Sequence, residues 1–565
     1  VVEGFLEWFE DCPAPELPHR RYWNPETHNF DWREIEVAIR CRWFITIFLS
    51  AIHWPEAPAA FHRKLLLSIR QHLDYISSYY VEFGFIEGNH QAHHAQAPFA
   101  AGMLLPEFAS AAAWKKLGLH IYREHLEHDH DREGVQVEHC PGYHCTMTKI
   151  CLDPMRIYRA NRIDPPRWFV SKVNSMGDFL LYSADPSGLY YPFNDTKRVN
   201  ALDALAAAAK VLRRPELNAI AKQGRVKPVP PLSRAFEAAG LAFMRSSWKA
   251  DATAVVVDAS GRNSGHWHAG KPNLLIYKGA QPLAAEHVYA NYDDPAFWQY
   301  FHHAMAHNTV LVDGEGDSTP TEPWEVAHPS EPRLDLCVAG RNADIARAST
   351  DGFRRLTPPV SFERTVVFLK PALVFVHDRV ESSGAHTYEW LMHFTPQKPE
   401  VDRARQAVIT RTGGPFEMTC RPLADGAPAW RGPRMRRGKS SRADADPPLR
   451  TANRPKGGRA KPSLYVAAPY AAWSCKGAGR LYFNFLCEVH GPEPEPAGIE
   501  SLPVRGSEGC AAWKIRHGRR RYRLLLNPEG GPRGAAMRLD DGTVFRGRVA
   551  VIRGRETVSD GQEAS

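Results

Sequence analysis

The sequence predicts an α+β chain in two parts, a helical toroid or solenoid followed by an antiparallel β-sandwich. Three observations carry that expectation. Up to about residue 230, apolar residues recur at helical spacing in segments divided by short breaks containing Pro and Gly. From Gly240 onward, the apolar runs become short, rich in β-branched and aromatic residues, and separated by turns. The two regimes meet at Val226-Lys227-Pro228-Val229-Pro230-Pro231, which sets the expected domains at 1–230 and 231–565.

In the first part, Trp32 to Arg40 shows helical spacing, and 61–80 repeats it with Leu65, Leu66, Ile69, Leu73 and Ile76. Further helices are expected at 95–118, 142–160, 165–183 and 200–213, punctuated by Pro141-Gly142, Asp164-Pro165-Pro166 and Asp185-Pro186-Ser187-Gly188. In the second part, strands are expected at 252–258, 274–277, 309–312, 364–369, 373–376, 387–392, 481–486 and 522–526. From about 424 to 462, Pro, Gly, Arg and Lys crowd together with few large apolar residues, which reads as a mobile insertion between strands.

Composition narrows the class. A chain of 565 residues with 43% hydrophobic and 24% charged residues can bury large cores and reads as globular. The longest apolar run, Trp43 to Ile52, falls well short of the roughly 20 residues that span a bilayer, so no membrane span is expected. Ten cysteines are too dilute for a disulfide scaffold. The net charge of +8, with basic clusters at Arg434–Arg437 and Arg516–Arg523, fits an anionic polymer or, equally, a solvated face, and no nucleic-acid-binding motif accompanies it. The N-terminus shows no basic stretch leading into an apolar core, and the sequence begins at Val1, as after removal of a signal peptide or in a fragment.

The chemistry concentrates between Gly265 and Gly314. His266 and His268, at i and i+2, point to one face if the segment is a strand, and Glu286 with His307 could complete a His/Glu/His set suited to zinc. Tyr289, Tyr292 and Tyr300 lie in the same interval. With 26 histidines in the chain, any single one is by default a surface or hydrogen-bonded core residue, and it is the company of an acid and several tyrosines that points to a site. The helical part offers two more stretches. Glu87-Gly88-Asn89-His90-Gln91 places an amide and a titratable ring at a helix start, where a capping Asn and a surface His are the plain alternative. Glu138-His139-Cys140-Pro141-Gly142-Tyr143-His144 uses Pro-Gly to throw Tyr143 and His144 forward, against the plain alternative of a buried Tyr.

Together, Gly-Asn-His, Glu-x-Cys-Pro-Gly-Tyr-His, Gly240-x-x-Phe-Met-Arg-Ser-x-Trp248, His-x-His and Ala-His-Asn-Thr, in that order over about residues 30 to 400, resemble the heparinase II/III family of polysaccharide lyases, which is similar to certain alginate and oligoalginate lyases. The resemblance implies an N-terminal (α/α) incomplete toroid, a C-terminal antiparallel β-sandwich, and an active site in the cleft between them. It implies β-elimination at a uronic acid of an acidic polysaccharide. In that reaction Asn89 and His90 hydrogen-bond the carboxyl group and stabilise the enolate-like charge, Tyr143 serves as base or acid, His266 as the partner base or charge neutraliser, and Tyr292 is a candidate second phenol. Glu138, His144 and His93 are the expected substrate contacts. A structural zinc is implied on His268, Glu286 and His307. Three departures stand out: Glu286 replaces the usual Asp, Ala269-Gly270 replaces an acidic residue, and His93 replaces a frequent Glu. A periplasmic or secreted location is expected, with the cytoplasm as the alternative. Two other functions compete, a hydrolase recruiting carboxylates such as Glu138 and Asp195, and a catalytically silent glycan-binding homologue.

Overall fold

The computed structural model describes residues 32–261, 266–287, 292, 295–321, 325–395, 399–423, 428–441, 465–493, 496–531 and 534–560, with Glu7, Asp11 and Cys12. The chain divides into two compact units. One comprises 1–138, 143–180 and 204–214, and the other 139–142, 181–203 and 215–565. The boundary therefore falls near residue 214, before the Pro-rich stretch. Two short segments inside the helical sequence, 139–142 and 181–203, belong to the β-rich unit.

The first unit is built from α1 (Glu34–Ala51), α2 (Ala59–Phe83), α3 (Asn89–Leu104), α4 (Ala111–His128), α5 (Pro141–Ala160), α6 (Arg167–Tyr182) and α7 (Leu202–Leu212). On α2, Phe61, Leu65, Ile69, Leu73 and Ile76 are buried, the stripe that three-to-four-residue spacing anticipates. The continuous helix expected over 95–118 is instead two, α3 and α4. Leu105 precedes Pro106 and takes φ −128, because proline's ring pushes its predecessor out of the helical region.

The second unit is the expected antiparallel sandwich, built in three layers of sheet. An antiparallel meander of five strands (Arg234–Phe236, Leu241–Arg245, Thr253–Asp258, Asn273–Lys278, Gln281–Ala284) faces a central ten-stranded sheet. That sheet is dominated by the long strands Leu373–His393 and Tyr465–His490, and a five-stranded sheet between Gly498 and Ser559 covers its other side. Residues of one parity, Val366, Phe368, Val374 and Val376, share a core with Val255, Val257, Leu274 and Ile276 of the meander. Residues of the other parity, Val367, Leu369, Leu373 and Phe375, share a core with Trp513, Ile515, Tyr522 and Leu524. Burial on both faces is why these strands read as unbroken apolar runs without alternation.

Within the interval expected as a mobile insertion, Arg431–Ser441 is a strand paired with Tyr465–His490. Its exposed basic side chains hid a strand that packs on one face only. Residues 424–427 and 442–462 lie outside the described set.

Candidate functional site

In the helical unit, the site residues stand at helix starts. Gly88 has φ +95, and a Cβ there would lie 2.8 Å from Glu138 Oε1, so only glycine brings the start of α3 down on that carboxylate. Asn89 donates to Glu138 Oε1 twice, from its backbone N–H at 3.3 Å and from Nδ2 at 2.8 Å. This fixes the amide and leaves a second Nδ2–H for another acceptor. Gly88, not Asn89, is the capping residue. His90 Nδ1 lies 2.8 Å from Glu34 Oε1, with both side chains part-exposed. Burial raises the Glu34 carboxyl, but the His90 hydrogen bond and charge outweigh it and hold the group below its usual range. An ionised Glu34 accepts from Nδ1–H and leaves His90 Nε2 as the ring's other functional atom.

Tyr143, in the first turn of α5, is half-buried. Its neighbour His144, about 100° further round the helix, is wholly buried. His144 Nε2 is 2.8 Å from the Met176 carbonyl, Nδ1 accepts the Gln136 N–H at 3.4 Å, and burial lowers the ring to about 4. His144 is a core residue, correcting its expected role as a substrate contact, because both nitrogens are spent on backbone. Glu138 is corrected likewise. It is 4% exposed and holds Asn89. His93 lies three residues after His90 on α3, and burial, with the charges of His90 and His125, lowers it to about 4, so its ring is neutral at pH 7.

In the β-rich unit, the segment carrying His266 and His268 is irregular instead of the expected strand, and the two rings converge on a residue from a different loop, Asp195. Asp195 Oδ2 lies 2.7 Å from His266 Nδ1 and accepts the Tyr292 hydroxyl at 3.2 Å, while Oδ1 lies 2.8 Å from His268 Nε2. The loop is pinned by Asn194, at φ +51, whose Oδ1 accepts from Lys271 Nζ at 3.1 Å and whose Nδ2 donates to the His139 carbonyl at 3.1 Å. Lys271 in turn pairs with Asp258.

His268, Glu286 and His307 are brought together, all buried, with one ligand atom of each within 4.8 Å of the others. Each is braced from behind. Asn273 Nδ2 donates to Glu286 Oε2 at 2.7 Å, and Asn308 Nδ2 donates to the carbonyls of Leu274 and Ala285 at 2.7 and 2.9 Å, locking the His307-Asn308 segment against the meander. The buried Arg364 adds a bond to the Asn308 carbonyl at 2.6 Å while its fork holds Asp378 at 2.8 and 2.7 Å. Ala269-Gly270 has a steric reason. Gly270 has φ +92, and a Cβ there would lie 2.9 Å from His307 Cβ.

The donor set fits a cation. His307 Nε2–H donates to the Phe301 carbonyl at 3.0 Å, so the Nδ1 lone pair faces Glu286 Oε1 at 2.5 Å. Two acceptors at that separation repel unless a positive charge sits between them. His268 Nδ1 is buried with no hydrogen-bond partner among the described residues. Two imidazoles and a carboxylate suit zinc, and Glu replaces Asp without loss of donor type.

His302, missed in the sequence, lies beside this cluster. Its Nε2 is 3.9 Å from Asp195 Oδ1, its ring centroid is 4.5 Å from that of His268, and burial followed by the charges of His307 and His303 lowers it to about 3. No spacing motif marks Asp195 or His302.

This helix-then-sheet architecture is shared with several solved structures. A solved heparinase III aligns at TM-score 0.72 with 15% identity, covering 93% of this chain and 78% of that one. A heparan sulfate lyase of Pedobacter heparinus aligns at 0.67 with 19% identity over 93% and 78%. A chondroitinase AC lyase aligns at 0.54 with 9% identity over 100% and 86%. At these identities the likeness establishes the fold. The heparinase II/III N-terminus family matches residues 1–215, and the heparinase II/III-like C-terminal family matches 228–450. The chain belongs to the heparinase II/III family. Among characterised relatives it is 26% identical to a heparin-sulfate lyase of Pedobacter heparinus over 407 residues, covering 68% of this chain and 58% of that protein. It is 25% identical to one of Bacteroides stercoris over 430 residues, covering 72% and 61%. The chain thus spans less than two thirds of the length of either relative.

Proposed function

We propose that this chain is a polysaccharide lyase that cleaves a uronate-containing glycosaminoglycan of the heparin or heparan sulfate type by β-elimination. The carrying observation is the buried carboxylate of Asp195 at 2.7 Å from His266 Nδ1. It holds the Nδ1–H tautomer, in which Nε2 is the basic nitrogen, on a ring that is 15% exposed. Family membership and the named activity of the relatives support the substrate class.

The C5 proton of a uronate is hardly acidic while its carboxylate carries full charge. Asn89, through its remaining amide N–H, and His90, through Nε2–H when protonated, would donate to that carboxylate and to the enolate-like charge that grows on it. His266 Nε2 takes the C5 proton. The C5–H electron pair becomes the C4–C5 double bond, the C4–O4 bond breaks, and Tyr143 gives its phenolic proton to the departing O4. Water later restores the proton to Tyr143 and removes that of His266. Tyr292, tied to Asp195, helps to hold the same carboxylate. A zinc on His268, Glu286 and His307 would brace the segments that carry them, and no bond-making step is assigned to it. A periplasmic or secreted location goes with a polymeric substrate and is tested by fractionation of the source cells.

Incubation with heparin, heparan sulfate, chondroitin sulfate and alginate decides the reaction class. A lyase produces the ultraviolet band of a 4,5-unsaturated uronate. New reducing ends without that band mean a hydrolase, and neither product means a silent binder. The two carboxylates named for a hydrolase are engaged otherwise, Glu138 Oε1 with Asn89 and Asp195 with three donors.

A further inference from the structure

We infer that Asp195 is a positioning residue that couples the His268–Glu286–His307 cage to His266, so that the state of the cage sets the aim of the proposed base. The inference rests on the lyase reading for its kinetic consequence and on geometry alone for its structural one.

Asp195 has no exposed side-chain surface. A buried carboxylate persists only if its lone pairs are filled, and here they are filled from two directions. Oδ1 faces the cage through His268 Nε2 at 2.8 Å, and Oδ2 faces the reaction side through His266 Nδ1 at 2.7 Å and the Tyr292 hydroxyl at 3.2 Å. The residue is also tied along the backbone, since its own N–H donates to the His266 carbonyl at 3.3 Å. A carboxylate is a rigid planar group. A rotation that keeps one oxygen on a displaced His268 ring carries the other oxygen off His266.

The tautomers agree with this arrangement. With Nε2–H given to Asp195, His268 keeps an Nδ1 lone pair without a hydrogen-bond partner among the described residues, and this ring stands in the cluster with Glu286 and His307. Asp195 is thus the outer carboxylate of a carboxylate–histidine–metal relay and, through its other oxygen, the orienting carboxylate of a histidine base. Loss of such an outer partner typically costs about 10–100-fold in metal affinity. Loss of a group that aligns a general base costs on the order of 10²–10⁴-fold in turnover.

The test uses the purified full chain and its Asp195→Asn and Asp195→Glu variants. Zinc affinity is measured by competition with a chromophoric chelator, kcat and KM at saturating zinc, and the downfield His266 Nδ1–H proton by nuclear magnetic resonance, assigned by its absence in His266→Ala. Asp195→Asn is expected to bind zinc about 10–100-fold more weakly. At saturating zinc its kcat should remain at least 100-fold down with KM within threefold, and its Nδ1–H signal should be lost. Asp195→Glu should restore part of the zinc affinity and of the kcat. In the wild-type chain, removing zinc should shift the His266 Nδ1–H signal.

Three results overturn the coupling: a wild-type chain that takes up no zinc, an Asp195→Asn variant whose kcat returns fully on zinc saturation, and a His266 signal indifferent to zinc. A variant that loses kcat and KM together and melts early marks a merely structural residue and also overturns it. If no uronate polymer yields unsaturated product, the lyase reading fails, while zinc affinity and the His266 signal still judge the coupling.

Discussion

Each unit holds histidines in two ways, on backbone groups or on a carboxylate: in the helical unit His125 sits on Asp129, and in the β-rich unit His393 sits against the Met305 carbonyl. In the helical unit, His144 is sealed into the core with both nitrogens on backbone groups, and His72 places Nδ1 2.7 Å from the Ser68 carbonyl. In the β-rich unit, His266 and His268 are turned onto Asp195, and His307 onto Glu286. A ring satisfied by carbonyl groups has nothing further to offer. A ring that gives one nitrogen to a carboxylate presents the other as a base or a ligand. A carboxylate partner thus fits a ring for such a role without assigning it one, since His125 rests on Asp129 with neither side chain exposed.

The sharpest way to break this comparison is to remove one ring of each kind. His266→Ala and Tyr143→Phe should each lower kcat on a cleaved uronate polymer by about 10²–10⁴-fold while leaving the melting temperature near that of the wild type. His144→Ala should do the reverse. It opens a cavity beside Phe179 and strands two backbone partners, so it should lose several degrees of melting temperature yet keep wild-type kcat per folded molecule. Thermal denaturation alongside initial rates makes the comparison. A folded His144→Ala without turnover would return that residue to the site.

Metal comes next in size. His307→Ala should abolish stoichiometric zinc in elemental analysis and lower the melting temperature, and chelation of the wild-type chain should do the same. Unchanged stability with no zinc in either protein would mean that a proton, not a metal, lies between His307 and Glu286.

Acid should act on the sealed rings of the helical unit, as on the buried His302 of the other. His72 is lowered to about 3, and His94 and His144 to about 4, in each case chiefly by burial. Between about pH 6.5 and pH 4, the unfolded chain binds protons that the folded helical unit refuses. Stability is therefore full above that window and falls as pH drops through it, by at most about 1.4 kcal/mol per pH unit for each ring. Chemical denaturation at pH 7, 6 and 5 measures the slope, and His144→Gln should flatten it by up to one proton. An unaltered slope would show that His144 titrates alike in both states.

How far the sequence foretold these features follows from how local their causes are. The α2 stripe was legible because spacing along the chain carries it, whereas the grouping of His268, Glu286 and His307 came with the family resemblance. The three-layer packing was not. Only contact with the sheet beyond Gly498 reveals that the runs Thr365–Leu369 and Leu373–Val376 are buried on both faces. Asp195 was invisible as a partner of His266 for a similar reason, since 71 residues separate them and no motif spans that gap. His144 was misread because a helix sends adjacent residues about 100° apart, so the turn that exposes Tyr143 buries its neighbour.

The smallest effect tests the assignment of Glu138. If this carboxylate only holds Asn89, then Glu138→Gln keeps an oxygen for the Asn89 amide and loses only the charge behind the bond. A hydrogen bond to a charged acceptor is worth about 1 kcal/mol more than one to a neutral acceptor, which corresponds to a loss of about fivefold in kcat/KM. Were Glu138 instead an acid or base facing the sugar, as in the competing hydrolase, the same substitution would remove a proton-transfer group and cost about 10²-fold or more. Gly88→Ala separates the remaining possibility. It leaves the carboxylate in place but drives a methyl group to 2.8 Å from Glu138 Oε1 at a backbone φ of +95, so it should displace Asn89 and reduce kcat at least as much as Glu138→Gln does. A Gly88→Ala variant with wild-type kcat beside a crippled Glu138→Gln would mean that Glu138 acts on the substrate itself and that the bond to Asn89 is incidental.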